Sequence, residues 1–415
     1  MVKKTFFYVL SAQTFVVTPV YIICADDNES NLTNETIKSI CDKISFGCKL
    51  LQTLVAETIS YCGFGKKTFI LENGDSNGNN GCLIFNSNLL FNSSTNMTSE
   101  ELWEYFGREL MTSEYGLENR KFVAFFSRKN NKFLEKLAIG GGGLALCDVD
   151  YLNTWPTTID DISISFINQT FISLMPSFCT IPDSYSVCSN FSSSIGAVCH
   201  ELCHAFDLGH SMNGIMGKDF ARINLVFIPD KDSNTLKKTC NYQNFNYEKY
   251  NHYNNINILH NELNHGLKIN YSFNNVLSPN ENLRFYEKKK IEKQNIGNEL
   301  FFNHTFWSEG CVTLLAYHKW INHTHLDSIK TNANINQLQQ STIRYDSKRC
   351  IVTSLYDIVV IQLRHQSGQV LKSWTFYEKR KTFFFVPINE ARRASLIVIE
   401  DINGNLLRKE VESLF

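Results

Sequence analysis

The sequence predicts an α+β fold with a mixed sheet, followed by a C-terminal domain of the all-β, sandwich-like class. Strand-like and helix-like segments alternate over the first part of the chain, whereas short strands separated by hairpin turns follow from about residue 301. Residues 241–300 are dominated by Asn, Tyr, Lys and Glu, a composition typical of loops. We therefore expect a domain over 1–240, a linker over 241–300 and a β-rich accessory domain over 301–415.

The N-terminus has two interpretations. Lys3 and Lys4 precede an apolar stretch that extends to Cys24, as in a secretory signal with a cleavage edge at Ala25. Polar residues and Pro19 interrupt that stretch, which favours a buried strand over Val20 to Cys24. Thirteen cysteines, an odd number without any CxxC pair, look like free thiols. We expect a cytoplasmic protein, with secretion as the alternative.

The next segments predict packing elements. An apolar stripe with a 3.6-residue period predicts a helix from about Asn34 to Cys62, which Gly63 ends. Thr98 and Glu101 form a capping box for a second helix. Lys121 to Ser127 reads as a buried strand.

Four consecutive glycines, Gly140 to Gly143, precede a short strand that begins LAL at Leu144. Glycine in a strand is typical of a place where another backbone approaches closely. A plain flexible turn is the main alternative. A phosphate-binding loop is disfavoured, because no GK[ST] ending and no helix start follow the glycines.

The segment HELCHAFDLGH, from His200 to His210, has the spacing of a hydrolytic zinc site. On a helix, His200 and His204 lie one turn apart on one face, with Glu201 beside them. His210 can join them only if the helix ends before it, and Asp207 is a residue that tolerates a left-handed turn.

Gly209 also permits such a turn, and Ser193 or Ser194 is expected to cap the helix. Two alternatives stay open at this point. The histidines could belong to an ordinary amphipathic core helix, or Cys199 or Cys203 could supply a ligand.

The HExxH segment, the third histidine and the following Gly214-Ile215-Met216-Gly217 resemble the metzincin zinc endopeptidases. The longer segment from His200 to Asn224, with GGGGLAL at Gly140–Leu146 and TWP at Thr154–Pro156, is similar to a poorly characterised eukaryotic family of zinc metalloproteinases. One departure is Asp207, where such enzymes usually have Gly.

The resemblance implies one Zn²⁺ per chain, held by His200, His204 and His210, and a methionine turn at Met216. It also implies an edge strand that pairs with the main chain of a protein or peptide substrate. We assign that pairing to four consecutive residues that follow Gly141: Gly142, Gly143, Leu144 and Ala145.

The chemistry expected of this set is peptide hydrolysis. Zinc lowers the pKa of a bound water to about 7, and Glu201 takes the proton and passes it to the leaving amine. An oxyanion-stabilising tyrosine such as Tyr242 or Tyr247 has no support in the pattern beyond its residue type.

The C-terminal part predicts strands at five places, with hairpin turns at Ser367-Gly368 and Asn403-Gly404. The strands are Thr342–Tyr345, Ile358–Leu363, Val370–Phe376, Thr382–Val386 and Ser395–Glu400. The pattern contains no triad or metal cluster, so we expect an accessory module.

Composition limits the classes of function that the protein can have. The chain of 415 residues is 43% hydrophobic, which is sufficient for a large core. A net charge of −1 and the lack of a nucleic-acid motif exclude a nucleic-acid partner, and no uninterrupted apolar run is long enough for a transmembrane segment.

We therefore expect a zinc metalloendopeptidase. Two rivals are a catalytically silent protein of the same fold that binds peptides, and a zinc hydrolase of a non-peptide amide. Glu201 argues against the first, since a binder does not need it, and an edge strand argues against the second.

Overall fold

The N-terminal part of the chain is built on a six-stranded mixed sheet. In the computed structural model, the described residues are 14–26, 33–72, 81–127, 137–168, 170, 186–217, 219–223, 227, 307–322 and 342–411. The strands are β1 (Val16–Ile23), β2 (Ile70–Leu71), β3 (Leu83–Asn86), β4 (Arg120–Phe126), β5 (Ala138–Gly141) and β6 (Leu144–Asp148). Their order is β2-β1-β4-β6-β5, and β3 also pairs with β1. All pairs are parallel except β5 with β6.

Strand β1 is an interior strand of this sheet, and its sequence, VVTPVYII, is almost continuously apolar, as expected of a strand covered on both faces. One side pairs with β4, and the other side pairs first with β2 and then with β3. Pro19 cannot donate a ladder hydrogen bond. It lies between Val17, the last partner of β2, and Val20, the first partner of β3. The strand predicted from Val20 is thus present and begins four residues earlier.

Helices cover both faces of the sheet. They are α1 (Asn34–Ile59), α2 (Phe91–Ser94), α3 (Ser99–Thr112), α4 (Asp160–Ile167) and α5 (Val187–Ala205). The apolar side chains of α1 and α5 share one core, and those of α3 pack in a second core on the opposite face. The predicted capping box of Thr98 and Glu101 is confirmed. A short π-helical turn, Ser60–Phe64, follows α1, and Gly63 inside it has a left-handed backbone with φ 90°.

The C-terminal part forms two antiparallel sheets, as the sequence predicts. Its elements are α6 (Glu309–Tyr317), β7 (Ile343–Asp346), β8 (Ile351–Ser354), β9 (Ile358–Arg364), β10 (Val370–Thr375), β11 (Phe383–Phe385), α7 (Ile388–Ala391), β12 (Leu396–Asp401) and β13 (Leu406–Glu410). The sheets have the orders β10-β9-β12-β13 and β11-β8-β7, with an apolar core between them. Strands β8 and β13 were not predicted, because each is only four or five residues long and partly polar.

The outer face of the four-stranded sheet packs on the N-terminal part. Val359, Val360 and Val398 belong to the same apolar cluster as α1 and α5, and so do the buried residues of α6. The accessory strands are therefore joined to the helix that carries the histidines through a continuous core.

None of the helices in the described part of the chain combines the length and apolar character needed to cross a bilayer.

Candidate metal centre

The helix α5 carries the first two histidines and begins earlier than the sequence predicted. Ser186 is the N-cap, and its hydroxyl accepts a hydrogen bond from the Ser189 N–H at 3.2 Å. The expectation that Ser193 or Ser194 caps the helix was wrong. Both lie inside it, and their hydroxyls donate to backbone carbonyls one turn earlier. Small polar residues satisfied in this way can occupy a buried helix interior.

The same helix ends where the third histidine requires it to end. The Leu208 N–H donates to the Cys203 carbonyl and the Asp207 N–H donates to the His204 carbonyl, both at 3.0 Å. These two bonds form a Schellman motif, which needs a left-handed residue after the helix. Asp207 takes that position with φ 63°, whereas Gly209, the other residue that the sequence offered for the turn, is not left-handed. The chain then turns back and brings His210 to the face that carries His204.

The three histidine rings converge on one point. The Nε2 atom of His204 lies 3.0 Å from the Nε2 atom of His200 and 3.0 Å from that of His210. Among the described residues, this trio is the group of His, Cys, Asp and Glu side chains able to hold a metal ion. Cys199 and Cys203 do not belong to the group, and both are buried.

Hydrogen bonds fix the tautomer of two rings. The Nδ1 atom of His200 lies 2.6 Å from the Ile215 carbonyl, and that of His204 lies 2.9 Å from the Leu208 carbonyl. A carbonyl can only accept, so each Nδ1 carries the proton and each Nε2 presents a lone pair. Burial lowers the pKa of His200 to about 4 and that of His204 to about 3, so both rings are neutral at pH 7.

Two lone pairs that face each other at 3.0 Å have no proton to share and repel each other. A cation placed between them removes this repulsion, and neutral imidazoles are the form that binds metals. A tetrahedral zinc ion with bonds of about 2.0–2.1 Å sets its ligand nitrogens roughly 3.3 Å apart. The trio therefore fits a metal ion of this kind.

Glu201 directly follows His200 on α5. Burial raises the pKa of its carboxyl to about 7, and a backbone hydrogen bond from Gly140 opposes part of that shift. Strand β5 approaches the helix closely here, since a Cβ atom at Gly140 would lie 2.0 Å from the Glu201 carbonyl oxygen. Only glycine fits at this contact, which explains part of the glycine run.

The edge of the sheet lies four residues before the predicted position. Strand β5 is the terminal strand in the order of the described sheet, whereas β6 is paired on both sides, with β4 and with β5. Gly142 and Gly143 form the turn between them, and Leu144 and Ala145 lie in β6. The backbone of Leu144 and Ala145 is engaged within the sheet, so main-chain pairing with another segment is left to the outer side of β5.

Met216 is fully buried in the turn that follows His210. In this turn the Ile215 carbonyl faces the His200 ring, and the Met216 carbonyl accepts from the Ser211 N–H at 2.8 Å. Gly214 is left-handed, at φ 79°, and its N–H donates to the Asp219 carboxylate at 2.8 Å. The turn therefore holds the His200 ring in place through the Ile215 carbonyl.

Sequence reasoning missed Arg364, which is buried at the end of β9. Its Nη2 atom donates to the Asp207 carbonyl at 2.6 Å, across 157 positions of the chain. The available signal was a polar residue and an arginine, Gln362 and Arg364, at the end of the apolar strand IVVIQLR. Tyr242 and Tyr247 lie outside the described residues.

A family model described as "Metallopep: Putative peptidase family" matches residues 3–305, more than half of the chain. The chain belongs to this family. The matched range covers the six-stranded sheet and the three histidines. No curated protein sequence matches the chain.

Solved structures similar to this chain include OgpA from Akkermansia muciniphila. The catalytically inactive protein in complex with an O-glycopeptide substrate has a TM-score of 0.47 and 9% identity, covering 98% of this chain and 96% of that one. Wild-type OgpA in the P 41 21 2 crystal form has a TM-score of 0.47 and 10% identity, covering 98% and 97%.

Proposed function

We propose that the protein is a zinc-dependent endopeptidase of the metzincin type, with His200, His204 and His210 as ligands and Glu201 as the general base. The observation that carries the proposal is the convergence of the Nε2 atoms, two of them with lone pairs directed at each other at 3.0 Å. Membership of a peptidase family supports the reaction class.

A zinc ion held by the three histidines would supply Lewis acidity, which acidifies water and polarises a scissile carbonyl. Glu201 moves the proton. Its carboxylate would accept a proton from the attacking water and then release it to the departing amine.

The outer side of β5 supports a peptide rather than a small amide as substrate. An extended peptide gains affinity by adding a strand to a sheet edge, and a small molecule without repeating peptide units does not. Strand β5 contacts Glu201 through Gly140, so a peptide paired with its edge would run beside the general base.

The test uses the purified full-length protein and an unfolded protein substrate. We expect about one zinc ion per chain, cleavage that stops with a chelator and returns with zinc, and internal rather than terminal cut sites. Glu201→Gln should keep zinc and lose roughly 10²- to 10⁴-fold in rate, because the amide cannot accept a proton.

Each rival gives a different result. A silent peptide-binding protein would bind zinc and the unfolded chain without cutting it. A hydrolase of non-peptide amides would leave the protein substrate intact and cleave small acylated amines, with the same dependence on Glu201.

A further inference from the structure

The two strands β9 and β10 form a hairpin that pairs with the backbone of the third histidine. The His210 N–H donates to the Gly368 carbonyl at 3.0 Å, and the Val370 N–H donates to the His210 carbonyl at 2.8 Å. Together they make a parallel bridge between His210 and Gln369. Both backbone groups of the ligand residue are thus engaged by the C-terminal part of the chain.

Arg364 fixes the turn that precedes His210. It donates from Nη2 to the Asp207 carbonyl at 2.6 Å. The Gln362 Oε1 atom accepts from its Nε at 3.1 Å and its Nη2 at 2.6 Å, so the guanidinium is held in one orientation. Gly209 packs against it, since a Cβ atom there would lie 2.7 Å from the Arg364 Nε.

A third set of contacts holds the Asp207 carboxylate. It lies 3.6 Å from the His318 Nε2 and 3.6 Å from an Arg408 guanidinium nitrogen, both from the C-terminal part. The Gly209 carbonyl also accepts a long hydrogen bond from the Cys311 thiol of α6. The backbone and side-chain groups of the segment Asp207–His210 are therefore held mainly by residues more than 100 positions away.

We propose that the C-terminal four-stranded sheet is part of the metal centre, and that Arg364 is a positioning residue for the ligand His210. This assignment rests on the zinc site proposed above. His200 is fixed by its helix and by the Ile215 carbonyl. His204 is fixed by the same helix and by the Leu208 carbonyl, which lies within the held segment, so the hairpin acts directly on His210 and only indirectly on His204. Loss of the Arg364 hydrogen bond to the Asp207 carbonyl releases the turn. His210 then moves away from the other two rings, and zinc binding weakens.

The experiment measures the Kd for zinc of the full-length protein by competition with a chromophoric chelator. Arg364→Met should bind zinc about 10- to 100-fold more weakly, the loss typical of removing a contact behind a ligand. Arg364→Lys, which keeps one donor, should recover part of the affinity. Arg344→Met is the matched control, because Arg344 is exposed on β7 and should leave the Kd unchanged.

A second variant covers the case in which Arg364→Met does not fold. Val370→Pro removes the N–H that reaches His210, at an edge strand where proline is tolerated, and should raise the Kd several-fold. Folded Arg364→Met or Val370→Pro protein with the wild-type Kd would overturn the assignment. Wild-type protein that binds no zinc would instead reject the proposed function, and this inference with it.

Discussion

The histidines of the metal centre are held in two different ways. His200 and His204 lie one turn apart on α5, and each Nδ1 bonds to a carbonyl no more than 15 positions away. His210 lies in a turn whose backbone is bonded to Gly368 and Val370, about 160 positions along the chain. Helical spacing is sufficient to place the first pair, whereas the third ligand needs a partner from another part of the fold.

Local spacing is therefore sufficient for one part of the motif, whereas the other part depends on contacts with distant residues. An isolated helix could place both histidines of the HExxH pair on one face, because the 3.6-residue period alone sets that spacing. The return of the chain to His210 passes through the left-handed Asp207, a conformation that costs a non-glycine residue about 1–2 kcal/mol. The surrounding contacts must offset that strain.

Removal of a ligand should have the largest effect. We expect zinc content close to zero for His204→Ala, because its Nε2 lies next to both other rings. His210→Ala should retain only the helical pair and lose more than the roughly 10- to 100-fold in affinity that a contact behind a ligand provides. Elemental analysis after gel filtration measures the zinc content of His204→Ala, and competition with a chromophoric chelator measures the zinc Kd of His210→Ala. His365→Ala, an exposed histidine of the same hairpin, is the control, and full zinc content in His204→Ala would reject the ligand set.

Two glycines of the run, Gly140 and Gly143, differ in how closely they approach other atoms, and together they test the contact between β5 and α5. Gly140→Ala places a Cβ atom 2.0 Å from the Glu201 carbonyl oxygen, whereas nothing lies within 4 Å of a Cβ atom at Gly143. Overpacking of this kind typically costs about 1–3 kcal/mol, so Gly140→Ala should lower the melting temperature and the cleavage rate. Gly143→Ala should change neither. Equal behaviour of the two variants would contradict the close contact of β5 with α5.

Asp207→Gly sharpens the comparison on the side of the third ligand. Glycine relieves about 1–2 kcal/mol of backbone strain, and loss of the carboxylate removes its contacts with His318 and Arg408. We expect stability within about 1 kcal/mol of wild type. The zinc Kd should not change, since the carboxylate contacts no ligand ring and glycine keeps the backbone carbonyl that Arg364 binds. Asp207→Ala keeps the strain and loses the same contacts, so its melting temperature should be the lower of the two. A weakened Kd in Asp207→Gly would show that the carboxylate matters for the metal.

Glu400 should show the smallest effect. It is fully buried on β12, and neither of its oxygens has a hydrogen-bond partner among the described residues. Burial, with the negative charges of Asp401 and Asp207, raises the pKa of this carboxyl well above 4.5. The folded state then binds the proton more tightly than the unfolded state, so this group favours folding at low pH and that contribution is lost as the pH rises above about 4.5.

Glu400→Gln removes this loss of stability at higher pH, because an amide does not ionise. Thermal unfolding of both proteins between about pH 4 and pH 8 should show the variant more stable by a few degrees at neutral pH, with the difference shrinking at acid pH. The zinc Kd should not change. A variant that is less stable at neutral pH would mean that the charged carboxylate is stabilised in the folded protein.

The parts of the fold that sequence alone could predict are those set by local periodicity. The strand at Val20, the helix from Asn34, the capping box at Thr98 and the left-handed turn at Asp207 each follow from neighbouring residues. The start of α5 was missed because its first turns are rich in serine, which resembles a cap wherever it occurs.

The parts that could not be predicted depend on pairing between distant segments. The position of the sheet edge requires knowledge that β6 is paired on both sides, and nothing in GGGGLAL specifies which strand lies outermost. The same holds for Arg364, whose role appears only when β9 packs against the Asp207 turn. Periodicity carries no information on either contact.

Zinc-dependent peptide hydrolysis with Glu201 as the base is tested by comparing wild-type protein with Glu201→Gln at equal zinc content. Both proteins are loaded with zinc, quantified by elemental analysis and incubated with an unfolded protein substrate. We expect one zinc per chain in each protein, internal cleavage by wild type and a loss of about 10²- to 10⁴-fold in the variant. Cleavage by the variant at the wild-type rate, or wild-type protein that carries zinc and leaves the substrate intact, would contradict this mechanism.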